Sequence, residues 1–311
     1  MRFVISIFFA LLLTPFNRAL AQNFQKKLDY TQESISNKLF NVTNRIDTYF
    51  GEQVPLNQRN GSHIRFEYTA TAKEENTPLY EPNLDVRVRF RQLERLFRFN
   101  LTSVTPREDE TLQNDQGINQ ANEDKTIESA VYRASLGFFK EQKRFWSLSF
   151  DTGVRVQAPA VAFAKARGQR SFDLENSKLR VINRVYVEDL AGAFNYTDII
   201  FSKQISSSLT FTYNNQFNWQ DTTSELNTSH GPSLFQVFDD KQDMSYNFRT
   251  TFYNRPNYAI TAHQLYGVYR RKLYKQWILL QLIPGISFSA DDDFESIGFF
   301  TAKFQTLFGD F

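Results

Sequence analysis

The chain of 311 residues holds three histidines, His63, His230 and His263, and no cysteine. A Ser–His hydrolase needs an activated serine, its base and an orienting polar group within hydrogen-bond reach. Without cysteine there are no thiolate nucleophiles, thiolate metal sites or disulfides. His230 is followed by Gly231-Pro232-Ser233, which reads as a turn in a loop. His263 lies near the start of a long strand pattern and is followed by Gln264. Neither spacing gives a triad fragment, so no catalytic residue is expected. The run Asp291-Asp292-Asp293, with Glu295, offers the hard oxygens that Ca²⁺ or Mg²⁺ prefers. Its spacing does not match an EF-hand loop. It reads as a solvated acidic loop, as do Glu108, Asp109 and Glu110. No metal and no cofactor are expected.

Basic side chains are the more informative set. In 84–91 (LDVRVRFR), Leu84, Val86, Val88 and Phe90 share one face, and Asp85, Arg87, Arg89 and Arg91 share the other. The same alternation places Arg98 opposite Phe97 and Phe99, Arg133 opposite Tyr132 and Ala134, and Arg155 opposite Val154 and Val156. Continued along the chain, it assigns Arg180, Arg184, Arg249, Arg270, Lys272 and Lys303 to the same polar side, together with Asp151 and Glu188. Side chains alternate across a strand with a period of two, so each such segment has one apolar and one charged face.

The elements that must carry these residues follow from the period. Residues 24–50 read as an amphipathic helix: Leu28, Ile35, Val42 and Tyr49 recur every seven residues, with Leu39 and Ile46 between them. Gly51 is a stop signal. This helix is expected to pack against neighbouring structure, to plug a cavity or to hold a partner. From residue 62 on, the period is two. Fourteen strands are expected, at 62–71, 84–91, 95–104, 129–139, 145–157, 160–170, 178–188, 193–203, 206–219, 233–239, 243–254, 260–273, 277–288 and 297–308. The faces of 160–170, 193–203 and 233–239 are mixed, so twelve is the alternative count. Segments of about ten alternating residues are long enough to cross an apolar band at a tilt. Short connections such as 240–242 and 274–276 alternate with longer ones such as 106–127 and 220–232.

Composition agrees with strands that face two media. The chain is hydrophilic on average, yet it holds 32 Phe and 14 Tyr. Averaging cancels when lipid-facing and lumen-facing residues alternate. Trp146, Trp219 and Trp277 fall near strand ends, where an interfacial girdle would place them. Arg2, the apolar run Phe3–Leu13 and the small-x-small pattern Ala19-Leu20-Ala21 read as a secretory signal peptide over residues 1–21. Leaving out Arg2 and Arg18, Lys+Arg equals Asp+Glu at 34, so the mature chain is neutral. A nucleic-acid binder would carry a basic excess, and no nucleic-acid partner is expected. The organisation read from these patterns is a signal peptide (1–21), a periplasmic helix and linker (22–61) and a transmembrane β-barrel (62–311).

The last segment carries a resemblance. In Ile297 to Phe308 (IGFFTAKFQTLF), Phe300, Ala302, Phe304 and Phe308 share one face, and Thr301, Lys303 and Gln305 share the other. An alternating final strand ending in an aromatic residue resembles the assembly signal of Gram-negative outer-membrane β-barrel proteins. The register fits when counted back from Phe308 and places the wrong face outward when counted from Phe311. The resemblance implies an all-β, antiparallel barrel in the outer membrane, in contact with outer-membrane lipid and lipopolysaccharide and inserted by the barrel-assembly machinery. The barrel phospholipases share an His-x-Ser-Asn-Gly stretch that this chain lacks. The functional expectation is a porin-like passive channel for small anionic or polar solutes. Its lumen would be lined by Arg87, Arg89, Arg91, Arg98, Arg133, Arg155, Arg184, Arg249, Arg270 and Lys303. The second reading is a structural or interaction barrel with a plugged lumen, whose helix (Leu28, Ile35, Leu39, Val42, Ile46) holds a periplasmic partner. A lipid-modifying enzyme is the third.

Overall fold

Polar and apolar residues alternate so regularly after residue 62 that a flat sheet would expose one apolar face to water. Closing the sheet inside a bilayer removes both problems: the apolar face meets lipid, and no edge strand is left with unpaired backbone groups. The computed structural model describes residues 18–50, 62–74, 77–88, 98–104, 131–143, 146–156, 160–189, 192–254 and 257–309. Helix α1 (Arg18–Phe50) precedes the strands. They are β1 (His63–Lys73), β2 (Leu79–Val88), β3 (Arg98–Val104), β4 (Val131–Lys143), β5 (Trp146–Val156), β6 (Val161–Leu174) and β7 (Ser177–Glu188), and then β8 (Gly192–Gln204), β9 (Leu209–Gln220), β10 (Glu225–Val237), β11 (Gln242–Tyr253), β12 (Ala259–Tyr274), β13 (Ile278–Ser289) and β14 (Ser296–Gly309).

These fourteen strands form one closed antiparallel barrel in which each strand pairs with its sequence neighbours. The seam closes where β1 pairs with β14, from His63 opposite Gly309 to Lys73 opposite Phe299. The fold class read from the sequence is therefore the observed one. All three strands with mixed faces are present, at β6, β8 and β10. No described helix is long and apolar enough to cross a membrane.

Outward positions carry the apolar load. Phe66, Tyr68, Leu84, Phe150, Val154, Phe300 and Phe304 all stand exposed on the outside. Trp146 and Trp219 are exposed near strand ends as expected. Trp277 is not part of such a girdle. It is 5% exposed, edge-on to Tyr274 and beside Phe308, because the β12–β13 turn folds it under the rim.

The largest correction concerns β10. The sequence reading put 220–232 in a loop and began the strand at 233. The structure starts it at Glu225, with His230, Gly231 and Pro232 in its middle. The His-Gly-Pro sequence mimics a turn, but tertiary pairing overrides it: Gly231 faces Asn214 and Pro232 faces Tyr213 on β9. Glycine is required for a steric reason. A Cβ at 231 would lie 1.8 Å from the carbonyl oxygen of Phe248. The connection expected at 72–82 is also shorter, since β2 begins at Leu79. The helix extends from Arg18, whereas the sequence pattern started it at 24.

The α1 helix lies at the end of the barrel that bears the short turns. It meets the β12–β13 turn and the end of β14. Leu28, Ile35 and Leu39 are half-buried on its contact face, while the side chains of Val42 and Ile46 lie outside the described residues. Gly309 takes φ +98°, and a Cβ there would meet the carbonyl of Ser62 at 2.3 Å and Leu39 at 3.1 Å.

Gly231→Val is expected to force β10 and β11 apart and to cost about 1–3 kcal/mol. Urea unfolding of the refolded barrel in detergent, followed by tryptophan fluorescence, reads this as an earlier midpoint. An unchanged midpoint would show that the ladder tolerates the side chain.

Candidate functional site

The lumen wall follows from the pairing register alone. Residues opposite one another across a pair point to the same face. Asp85 is opposite Arg65, Arg87 opposite His63, Thr102 opposite both Asp85 and Arg133, and Arg155 opposite Arg133. The row continues through Asp151 opposite Lys165 and Arg167 opposite Arg184. On the other flank Gln281 lies opposite both Arg270 and Lys303, and Lys303 also lies opposite Thr69. Arg87, Arg98, Arg133 and Arg155 thus occupy lumen-side register positions, though their side chains lie outside the described residues. Arg89 and Arg91 lie wholly outside them. The side chains of Arg184, Arg249, Arg270 and Lys303 are described on the lumen side, with Arg184 and Lys303 buried and Arg249 and Arg270 half-buried.

The structure pairs several of these with acids that the sequence reading did not name. Arg184 makes a buried ion pair with Asp198, their side chains 5% and 2% exposed. Arg270 Nε donates to Asp243 Oδ1 at 2.7 Å, and its guanidinium lies 5.4 Å from the Phe235 ring centre. Lys303 lies 3.5 Å from Glu67, which also accepts from Thr69 at 3.4 Å and from Gln305. Arg65 donates to Asp85 at 2.7 Å. Arg249 makes no ion pair among the described residues. The signal for these acids was present in the sequence: Arg65 and Glu67 alternate with Phe66 and Tyr68, just as Arg87 alternates with Val86 and Val88. In β8 the alternation was blurred, because Asn195 and Thr197 stand on the face opposite Asp198.

Two features set the electrostatics. Each of these described ion pairs joins adjacent strands, so it lies along the wall rather than across the lumen. One stretch is over-supplied with positive charge. Arg167 stands directly opposite Arg184 and donates to Gln169 at 3.1 Å, while its Nε has no partner among the described residues. Aromatic rings share this part of the wall: Phe163, Tyr186 and Phe194 follow one another at 5.6 and 5.8 Å between centroids. Tyr186 donates to Glu188 at 2.6 Å.

Two of the three histidines take a different place, while His63 stands in the lumen row opposite Arg87. His263 faces outward with Leu265 and hydrogen-bonds to Thr250 through Nδ1 at 3.0 Å. His230 also faces outward, its ring 4.9 Å from that of Phe252. No serine–carboxylate arrangement surrounds either among the described residues. The acidic run forms a short 3₁₀ turn, Ala290–Asp292, capped by Ser289. Among the described residues no group of three or more His, Asp or Glu is placed to hold a metal ion.

At the rim, Asp29 of α1 accepts from Lys275 at 2.8 Å and from Tyr274 at 2.9 Å, and Ser36 accepts from the Gly309 amide at 2.8 Å. The hydrogen bond from Lys275 holds the Asp29 carboxyl below the usual range, and the same bond raises Lys275. A depressed carboxylate stabilises the bound form above its free pKa and loses that contribution as pH falls through the lowered value. A raised lysine contributes below its free pKa and fails only as pH rises through the raised value.

No protein-family model and no curated protein matches the chain. Solved structures with a similar shape exist. The loop L8 deletion mutant of OmpT, an outer-membrane protein of Vibrio cholerae, is 9% identical over 79% of this chain and 98% of its own, with a TM-score of 0.49. A bacterial polysaccharide outer membrane secretin is 10% identical over 80% and 99%, at 0.48. The outer membrane channel DcaP of Acinetobacter baumannii is 7% identical over 79% and 96%, at 0.41. At these values the likeness carries no argument about activity, and the barrel stands on this chain's own strand ladder. That ladder makes the chain a closed antiparallel β-barrel of fourteen strands with an apolar outer face.

Asp198→Leu leaves Arg184 buried without its counter-charge and is expected to destabilise the barrel by about 3–5 kcal/mol. The double change Arg184→Leu with Asp198→Leu recovers most of that loss in the same denaturant assay. Equal loss in single and double variants would remove the ion pair from the account. For the rim contact, docking of α1 is expected to be constant across neutral pH and to loosen only below about pH 4, where carboxylates protonate. Distance between a spin label on α1 and one on the β12–β13 turn checks this, and loosening near neutrality would contradict the Asp29–Lys275 link.

Proposed function

We propose that the barrel is a passive, porin-like channel whose basic lumen favours small anionic or polar solutes. The supporting observation is that the described ion pairs of the lumen run along the wall between adjacent strands. An Arg–acid network that blocked flow would instead bridge strands across the lumen. A barrel of this size is too wide for wall side chains to fill, since eight strands already leave just enough room for them. Ionised groups are costly on the lipid face, about 2–4 kcal/mol for Arg or Lys at the midplane, and they cost far less in a wet lumen. Arg249, half-buried on the lumen side and without an ion pair among the described residues, then acts on permeating anions, as rings of basic side chains do in anion pores. The barrel is read as non-enzymatic, since both described outward histidines lack a nucleophile and an acid. Outer-membrane lipid and lipopolysaccharide surround it in this reading, and the barrel-assembly machinery inserts it with α1 on the periplasmic side.

A second reading has one specific observation in its favour. The α1 helix is held to the rim by Asp29 and Ser36, which would leave its remaining surface to a periplasmic partner.

The test is single-channel conductance of the refolded mature protein in a planar bilayer, with a salt gradient to read selectivity. Stable steps with an anion-shifted reversal potential are expected. Changing Arg87, Arg98 and Arg249 together to Gln is expected to move that potential toward zero with the barrel intact. Silence from properly folded protein would overturn the channel reading and move attention to the α1 partner, which Leu39→Asp would then release.

A further inference from the structure

One wall of the outside is not built like the rest. On β7 to β10 the outward positions near mid-strand are Asn183, Asn195 with Thr197, Asn215 and His230, where other walls carry Phe, Leu and Val. Their common face follows from the register: Asn183 is opposite Thr197, Thr197 opposite Phe217, and Asn215 opposite His230. The row passes on to Thr250 and His263. Exposed apolar residues surround it, Phe217 and Trp219 on β9, Tyr246 and Phe248 on β11, and Leu265 on β12. Asn183, Asn215 and His230, near the middle of their strands, therefore face the lipid side where no water is available to hydrogen-bond them. A polar group there without a partner is costly.

Part of the row satisfies itself. Asn183 donates to Asn195 at 2.9 Å and to Thr197 at 2.8 Å, and Thr250 bonds to His263. The centre does not: Asn215 and His230 stand side by side, and neither makes a side-chain hydrogen bond among the described residues. We propose that this wall is the contact surface for a second copy of the same chain, with Asn215 and His230 at its centre. Three properties select that occupant. The patch lies at membrane depth, so only a membrane-embedded surface reaches it. A second copy inserted in the same direction brings the same residues to the same depth. The patch is uncharged and holds both donors and acceptors, since each amide supplies an NH₂ and a carbonyl. Two copies therefore meet without like-charge repulsion, and the row bonds to its own image in a closed symmetric assembly. The flanking aromatics supply flat apolar area around that centre.

The chain has no cysteine, so single cysteines report contact without background. Asn215→Cys, expressed in outer membranes and oxidised with copper phenanthroline, is expected to give a disulfide-linked dimer of the chain. Leu84→Cys, which lies outward on β2 across the barrel, is expected to give none. The wild-type protein extracted in mild detergent is expected to run as an oligomer by size-exclusion chromatography with light scattering. The double variant Asn215→Leu, His230→Leu should run as a monomer. Heat-modifiable mobility on gels verifies that this variant is a folded barrel, and if it does not fold, the cysteine pair decides alone. Equal cross-linking at both positions, none at either, or a monomeric wild type with lipid bound to this wall would each overturn the proposal.

Discussion

Every other feature of this molecule depends on the β1–β14 seam. In a bilayer core an unpaired backbone amide has no water to turn to, so a sheet with an open edge is excluded. Eleven opposed residue pairs, from His63–Gly309 to Lys73–Phe299, remove that edge. Closure converts a periodic sequence into two concentric surfaces. It fixes which parity faces lipid, and a one-residue slip of β14 against β1 would turn Lys303 and Gln305 into the membrane and Phe300 and Phe304 into the lumen. The seam is also where α1 is attached, through Ser36 and Leu39 at Gly309. The helix thereby rests on the strand whose pairing completes the barrel.

What the sequence could reveal divides along the same line. Alternation is a local property, so strands such as β2, β11 and β14 were legible from a few residues each. The N-terminal helix was legible from its seven-residue spacing for the same reason. Partnership across strands is not local. The sequence singled out Arg184, Arg270 and Lys303, but Asp198, Asp243 and Glu67 became visible as their partners only once the register was known. Three of the basic residues are thus paired with acids, and Arg167 and Arg184 face each other across β6 and β7. The β10 strand failed for another reason. Gly231-Pro232 is a strong turn signal, yet here glycine answers a close approach by Phe248, and proline sits where the β10–β11 ladder is interrupted.

The buried pairs follow a physical logic of placement. Removing a charge from water costs several kcal/mol, and a neighbour at hydrogen-bond distance recovers it only when geometry is good. In this lumen the partner is one strand away, directly opposed in Arg65–Asp85 and Arg270–Asp243 and diagonal in Arg184–Asp198 and Lys303–Glu67, and long side chains reach both positions. Pairing along the wall keeps these charged side chains on the wall and off the middle of the lumen. The wall is thus electrostatically settled without any of these described pairs crossing the lumen.

The outward row poses the opposite problem, since it keeps polar groups where the medium offers nothing. Its composition is consistent with a chain that must insert before its neighbour arrives. Arginine or lysine at mid-depth would cost about 2–4 kcal/mol during that stage, more than an amide or imidazole. The row contains neither, and two of its clusters are closed by internal hydrogen bonds, Asn183 with Asn195 and Thr197, and Thr250 with His263. At the centre, Asn215 and His230 make no side-chain hydrogen bond among the described residues. A surface that is tolerable alone and better covered is what a two-step assembly requires: first the barrel closes upon itself, and then it finds its own kind in the plane of the membrane.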